Sequence, residues 1–229
     1  ETIVRGGAPP ADHAAVVAWS GGLRSTHTLI RHLDGLAPAA FTVQAALRVI
    51  GKKGMGGLTT AAIAGEVGMS EANLYRHFRG KDDVLAATLE SVGARIGENF
   101  QKAFGAGGTV REQFRIFFRL QLELMGGNSG IPRIMFSEEL HGKKALRERM
   151  FGTMYRFIDR LEAVFRRGQE RGEVAKDVDP RVTVLMFLSM MQGLMFRWSL
   201  SGFSFSLTAE GMKLLKNFER CIVTDSGGG

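Results

Sequence analysis

The stretch that most constrains this chain runs from Thr59 to Lys81, TTAAIAGEVGMSEANLYRHFRGK. It predicts two short helices joined by a tight turn. Thr59 stands as an N-cap, its hydroxyl placed to accept from an unpaired first-turn N–H. Ile63, Ala64 and Val67 then fall on one face at helical spacing. Gly68 ends the first helix, where a residue tolerant of positive φ costs least. Ser70 caps the second, and Leu74 and Phe78 lie four apart as its expected buried stripe. The small side chains of Ala61, Ala62, Ala64 and Ala72 let two helices cross closely. The expected motif is a helix-turn-helix, which presents its second helix to the DNA major groove.

The outward face of that second helix carries Glu71, Asn73, Arg76 and His77, with Tyr75 beside them. Asn reads adenine and Arg reads guanine in bidentate fashion, whereas Tyr, His and Lys suit phosphate oxygens. Lys81 opens the following helix, whose free N–H groups already favour an anion. The stretch resembles the tetracycline-repressor (TetR) family of bacterial transcription regulators. The matching residues are Leu58-Thr59, Ile63-Ala64, Val67-Gly68-Met69-Ser70, Leu74-Tyr75-Arg76-His77-Phe78 and Lys81, and the likeness extends back to about Phe41. The resemblance implies that Thr59 or Thr60, Tyr75, His77 and Lys81 grip phosphates while Asn73 and its neighbours face bases. Ser70, Glu71, Ala72 and Arg76 complete the candidate DNA-binding set.

The formal charge of the 229 residues is +7, as a nucleic-acid partner would favour. Its distribution does not single out the motif: residues 36–85 hold six bases against four acids, and most of the excess lies beyond them. The lone cysteine, Cys221, excludes an internal disulfide and a cysteine-based zinc site. No secretory signal is visible, and Val182–Phe196 is apolar but too short to span a bilayer, so no membrane partner and a bacterial cytoplasmic location are expected.

Residues 1–37 show no sustained periodicity and are expected to form a flexible extension, with short helices at 14–19 or 28–33 and a DNA arm through Arg5, Arg24 and Arg31 as alternatives. The chain begins with Glu, as a processed or trimmed product would. His13, His27 and His32 are spaced unlike a compact helical metal site. Pro38 opens a helix to about Lys53, with Val43, Ala46, Leu47 and Ile50 inward. Further helices are expected from Lys81 to Phe104, from Val110 to Met125 under a Thr109–Glu112 capping box, from Lys143 to Gly172, from Pro180 to Leu200, and from a Thr208 cap to Ile222, with one short segment over 131–140. Residues 225–229 are tail.

Enzyme signatures are missing from the sequence: no Gly-x-Ser-x-Gly, no His-Glu-x-x-His, no complete P-loop or dinucleotide fingerprint. Glu138-x-x-His141 has the spacing of half a di-metal site, but no second copy accompanies it. No catalytic residue, metal or cofactor is therefore expected, and a helical enzyme is the third reading. The second half of the chain is rich in Phe and Met, which re-pack easily around variable apolar ligands or simply fill a helical core. Phe114, Phe118, Gln121, Met150, Met154, Tyr155, Phe187 and Met191 are the candidate pocket. The Pro180–Leu200 helix has too much apolar surface for one buried face, so a two-fold copy is expected to cover Val182, Met186, Ser189 and Gly193, with Leu215 from the last helix. The family resemblance implies the same four-helix dimer.

The expected fold is all-α: a three-helix helix-turn-helix head over residues 38–84 and a helical ligand-binding and dimerisation body over 85–224. The expected function is sequence-specific DNA binding at an inverted-repeat operator, as a repressor released by a small apolar ligand. The alternative is a chromosome-organising DNA-binding protein with no inducer.

Overall fold

The computed structural model describes residues 38–105 and 107–222, and all regular structure among them is helical. In chain order the helices are α1 (Pro38–Lys53), α2 (Thr60–Val67), α3 (Glu71–Tyr75), α4 (Lys81–Phe104), α5 (Val110–Gly126), α6 (Gly130–Met135), α7 (Glu138–Gly142), α8 (Lys144–Glu170), α9 (Pro180–Leu200) and α10 (Leu207–Ile222). A single 3-10 turn, Met55–Gly57, joins α1 to the motif. The expected extension, its short helices, its arginines and its histidines lie outside the described residues.

The caps set most of these boundaries. Thr59 Oγ accepts from the Ala62 N–H at 3.0 Å, and Gly68 closes α2 in the left-handed region at φ 79°. Thr109 and Glu112 form the reciprocal box at the head of α5. Asp179 accepts from the Val182 N–H, with Pro180 in the first turn of α9. Two expectations are corrected. The cap of α10 is Ser206, not Thr208: its hydroxyl accepts from the Ala209 N–H at 3.2 Å, and burial of Leu207 starts the helix earlier. The 131–140 segment is two helices, because Ser137 donates to the Ile134 carbonyl and accepts from the Leu140 N–H, ending one turn and capping the next.

The core of α1 is Val43, Ala46, Leu47 and Ile50, all buried and packed with Ile63, Leu74, Val84 and Leu85. A charged clasp joins α1 to α2: Glu66 accepts from Arg48 Nε at 2.8 Å and from Lys52 Nζ at 3.2 Å. The Arg48 hydrogen bond, opposed by some burial, holds the Glu66 carboxyl below its ordinary range. In the body, rings close on rings: Phe114 meets Phe165 at 4.3 Å and Phe187 at 5.0 Å, while Phe118 meets Phe187 at 5.4 Å. Arg115 and the buried Glu219 tie α5 to α10 through paired 2.6 Å bonds. Head and body meet where α6 crosses α1. A Cβ on Gly130 would fall 2.2 Å from the Leu47 carbonyl oxygen, so only glycine permits this approach.

Candidate nucleic-acid interface

The motif presents one polar surface built from α2, α3 and the first turn of α4. Ser70 Oγ accepts from the Asn73 N–H at 3.2 Å, fixing the start of α3, and Leu74 anchors the helix inward. Glu71, Ala72, Tyr75, Arg76, His77 and Lys81 are exposed, and Asn73 is half-buried at their centre. Helix α3 ends at Tyr75, earlier than the Leu74–Phe78 stripe implied. Phe78 is buried all the same, but from a turn, held by its N–H to the Leu74 carbonyl at 3.0 Å. Asp83 then accepts from both the backbone and the guanidinium of Arg79, which fixes the chain between α3 and α4 and holds the Asp83 carboxyl below its usual range.

Contacts within this surface divide the two threonines. Thr59 Oγ is occupied as an N-cap, while the Thr60 hydroxyl donates to Glu71 Oε2 at 3.0 Å and lies 3.4 Å from the Tyr75 hydroxyl. Sequence reasoning found these residues but missed their link, because nothing in their spacing says that Thr60, Glu71 and Tyr75 converge. Tyr75 is 53% exposed, so its ring and hydroxyl are open to a partner at this surface.

Residues 43–88 match the profile of the tetR family of bacterial regulatory proteins, and residues 107–199 match that of the tetracyclin repressor-like C-terminal domain. The chain belongs to the TetR family. It is a sequence-specific DNA-binding transcription regulator, and the relatives it matches are regulators rather than enzymes. The nucleoid occlusion factor SlmA of Vibrio cholerae is 27% identical over 69% of this chain and 81% of its own. The fatty acid metabolism regulator of Bacillus subtilis is 18% identical over 76% and 90%. The fold matches the fatty acid degradation regulator FadR of Bacillus halodurans with a TM-score of 0.72 at 18% identity, covering 80% of this chain and 95% of that one. It also matches the ketosteroid regulator KstR2 of Mycobacterium tuberculosis at 0.67 and 16% identity, over 82% and 96%.

The other candidate residues lie in the body. Phe114, Phe118, Gln121, Phe187 and Met191 are buried, with Met150 and Met154 half-buried beside them. Tyr155 is 45% exposed and is corrected out of the pocket: it stacks on Phe151 along the flank of α8 that faces α9, where Asp159 binds Arg181. Val182, Met186, Ser189 and Gly193 are exposed in the single chain, together with Leu185, Phe196 and Leu200. Leu215 is 1% exposed and is corrected out of the dimer surface, because it faces the subunit's own core. The His141 ring bonds the Ser137 carbonyl at 2.7 Å, and no cluster suited to a metal ion occurs among the described residues. No described helix is long and apolar enough to cross a membrane.

Proposed function

We propose that the chain acts as a homodimeric repressor whose two heads, residues 38–84, read an inverted-repeat operator, and whose bodies, residues 85–224, release it on binding a small apolar ligand. Thr60, Tyr75, His77 and Lys81 serve phosphates; Asn73 and Arg76, with Ser70, Glu71 and Ala72 around them, face bases. The observation that carries the reading is the exposed polar surface of α3 set on a capped, close-packed motif. A single short helix reads few base pairs, so specificity needs a second copy about one helical turn, roughly 34–36 Å, away. The exposed apolar face of α9 supplies the surface for that copy. Ligand release is supported by the apolar interior of the body and by solved relatives such as a FadR described in complex with stearoyl-CoA.

Selection of bound fragments from random DNA tests the first half: an inverted repeat is expected, and tight binding to a site without two-fold symmetry would overturn it. Titrating apolar metabolites and antibacterial compounds against the complex tests the second. A second reading, chromosome organisation without an inducer, is favoured by the likeness to nucleoid occlusion factors and by the ring-on-ring packing of Phe114, Phe118 and Phe187. Compounds that raise thermal stability yet never alter DNA affinity would support it over the first.

A further inference from the structure

The head, residues 38–84, carries four carboxylates, and three of them are matched by a base. Glu66 meets Arg48 at 2.8 Å and Lys52 at 3.2 Å, Asp83 meets Arg79 at 2.8 Å, and Asp82 meets Lys143 of the body. The fourth, Glu71, stands exposed in the first turn of α3 and has no base as a partner among the described residues. Its charge is left uncompensated on the surface read as facing a polyanion. A carboxylate there repels the phosphates of every sequence, so it weakens binding unless some sequences offset the repulsion.

The contacts of Glu71 show what the offset is. The Thr60 hydroxyl donates to Glu71 Oε2 at 3.0 Å, and the Tyr75 hydroxyl lies 3.4 Å from Thr60 Oγ. With the Thr60 proton committed to the carboxylate, the Tyr75 O–H is placed to donate to Thr60 Oγ. Two hydroxyl protons therefore run along the surface toward Glu71 instead of out toward a phosphate. They are released when the carboxylate, which can only accept, takes a donor from elsewhere. In the major groove the base donors are the amino groups of adenine and cytosine. Adenine sets its amino group beside the N7 acceptor, which a carboxylate repels, and this leaves cytosine N4 as the matching donor.

We propose that Glu71 is a specificity-determining residue whose carboxylate accepts from a cytosine N4 amino group, and that this contact releases the Thr60 and Tyr75 hydroxyls to the phosphates. This rests on the reading of the head as the operator-binding unit and names the base that Glu71 selects. Base reading and phosphate grip are thereby coupled. A cytosine supplies its own hydrogen bond and frees two phosphate donors. Thymine at the same place sets an O4 acceptor and a methyl group against the carboxylate and frees neither.

Fluorescence anisotropy on the full chain tests this with three kinds of duplex: the operator selected from random DNA, operators with each base pair changed symmetrically, and a random duplex. Wild type should prefer C·G to T·A at one position of each half-site by about tenfold. Glu71→Ala should lose that preference alone and bind the random duplex about threefold more tightly, a gain that raised salt removes. Glu71→Gln keeps an acceptor for Thr60 but presents an amide, so it should move the preference at that position from cytosine to adenine. A carboxylate serving only the first-turn dipole of α3 would change stability and leave base preference as it is. Thr60→Val should weaken the cytosine operator and leave its T·A counterpart nearly unaffected; an equal loss on both would overturn the coupling. Base preferences unchanged by Glu71→Ala, or random binding unchanged or weakened, would overturn the assignment while a selected inverted repeat kept the repressor reading in place. Loss of a cytosine preference at a selected site without two-fold symmetry would uphold Glu71 and remove the dimeric reading. A wild-type chain that binds no duplex would overturn both.

Discussion

Among single residues, the side chains proposed to face DNA divide by what their loss changes. Lys81 stands free at the head of α4, so Lys81→Ala is expected to weaken specific and random DNA alike and to lower the salt slope by about one per half-site. Asn73→Ala should instead relax base preference, by about 1–3 kcal/mol if the amide contacts a base edge in bidentate fashion. Binding measured across salt concentrations and operator variants separates the two; a lysine variant with altered base preference and an unchanged slope would reverse the roles. Tyr75→Phe removes the hydroxyl that meets Thr60, so it should also free Thr60 and Glu71 from their shared geometry. The Arg48–Glu66–Lys52 clasp gives a pH signature. The folded Glu66 carboxyl titrates below its ordinary 4.5, so its contribution is present above that value and is lost as pH falls through the folded one. Glu66→Gln should therefore lower the melting temperature at pH 7, and the gap from wild type should close as pH drops below 4.5. A gap that stayed constant into acid would assign the loss to packing instead of charge.

For the helices, the sequence made ends more legible than rotations. Thr59, Ser70 and Thr109 are caps in the structure as their spacing implies, because a cap is a bond between residues three apart. Ser206 caps α10 in place of the expected Thr208 because the neighbouring Leu207 is buried, and burial is a tertiary fact. Rotation about a helix axis is set entirely by neighbours. Tyr155 was indistinguishable from Phe157 by type and period, yet the first faces α9 and solvent while the second meets Phe117 at 5.6 Å. The α1–α6 crossing was invisible for the same reason, since a glycine in a break between helices says nothing about the carbonyl that will lie against it. That crossing carries its own prediction. Gly130→Ala places a methyl on the Leu47 carbonyl and should cost about 1–3 kcal/mol in denaturant unfolding, because neither backbone can yield without moving a whole helix. Gly65→Ala, with open space at its Cβ on α2, is the control and should leave stability unchanged or raise it. Equal stability of the two variants would show that α6 and α1 separate freely.

In the whole molecule, α6 lies between the head and the helix that faces outward. Gly130 abuts α1, Arg133 sits 5.2 Å over the Phe203 ring, and Phe203 packs at 4.7 Å against Trp198 near the end of α9. If two copies meet along α9 as proposed, any change in that meeting has a packed route to the helix behind the recognition motif. The outward face of α9 runs from Val182 to Leu200 through Leu185, Met186, Ser189, Gly193 and Phe196. Its apolar surface is too long to leave in water without cost, and the small Ser189 and Gly193 at mid-length let a second α9 approach closely. Met186 is 52% exposed in one chain, so an aspartate there is tolerated by the fold but not at a two-fold seam, where it would be buried against its own copy. Met186→Asp should sediment as a monomer with undiminished helical circular dichroism, and should lose operator affinity far more than affinity for random DNA, since only the operator requires both heads at once. Leu215→Asp places the same charge inside the subunit's core and should unfold the chain outright. The contrast assigns the dimer surface to the face instead of to hydrophobicity in general. If Met186→Asp remained dimeric and kept its operator, the copies would meet elsewhere, and the apolar face of α9 would need a different occupant.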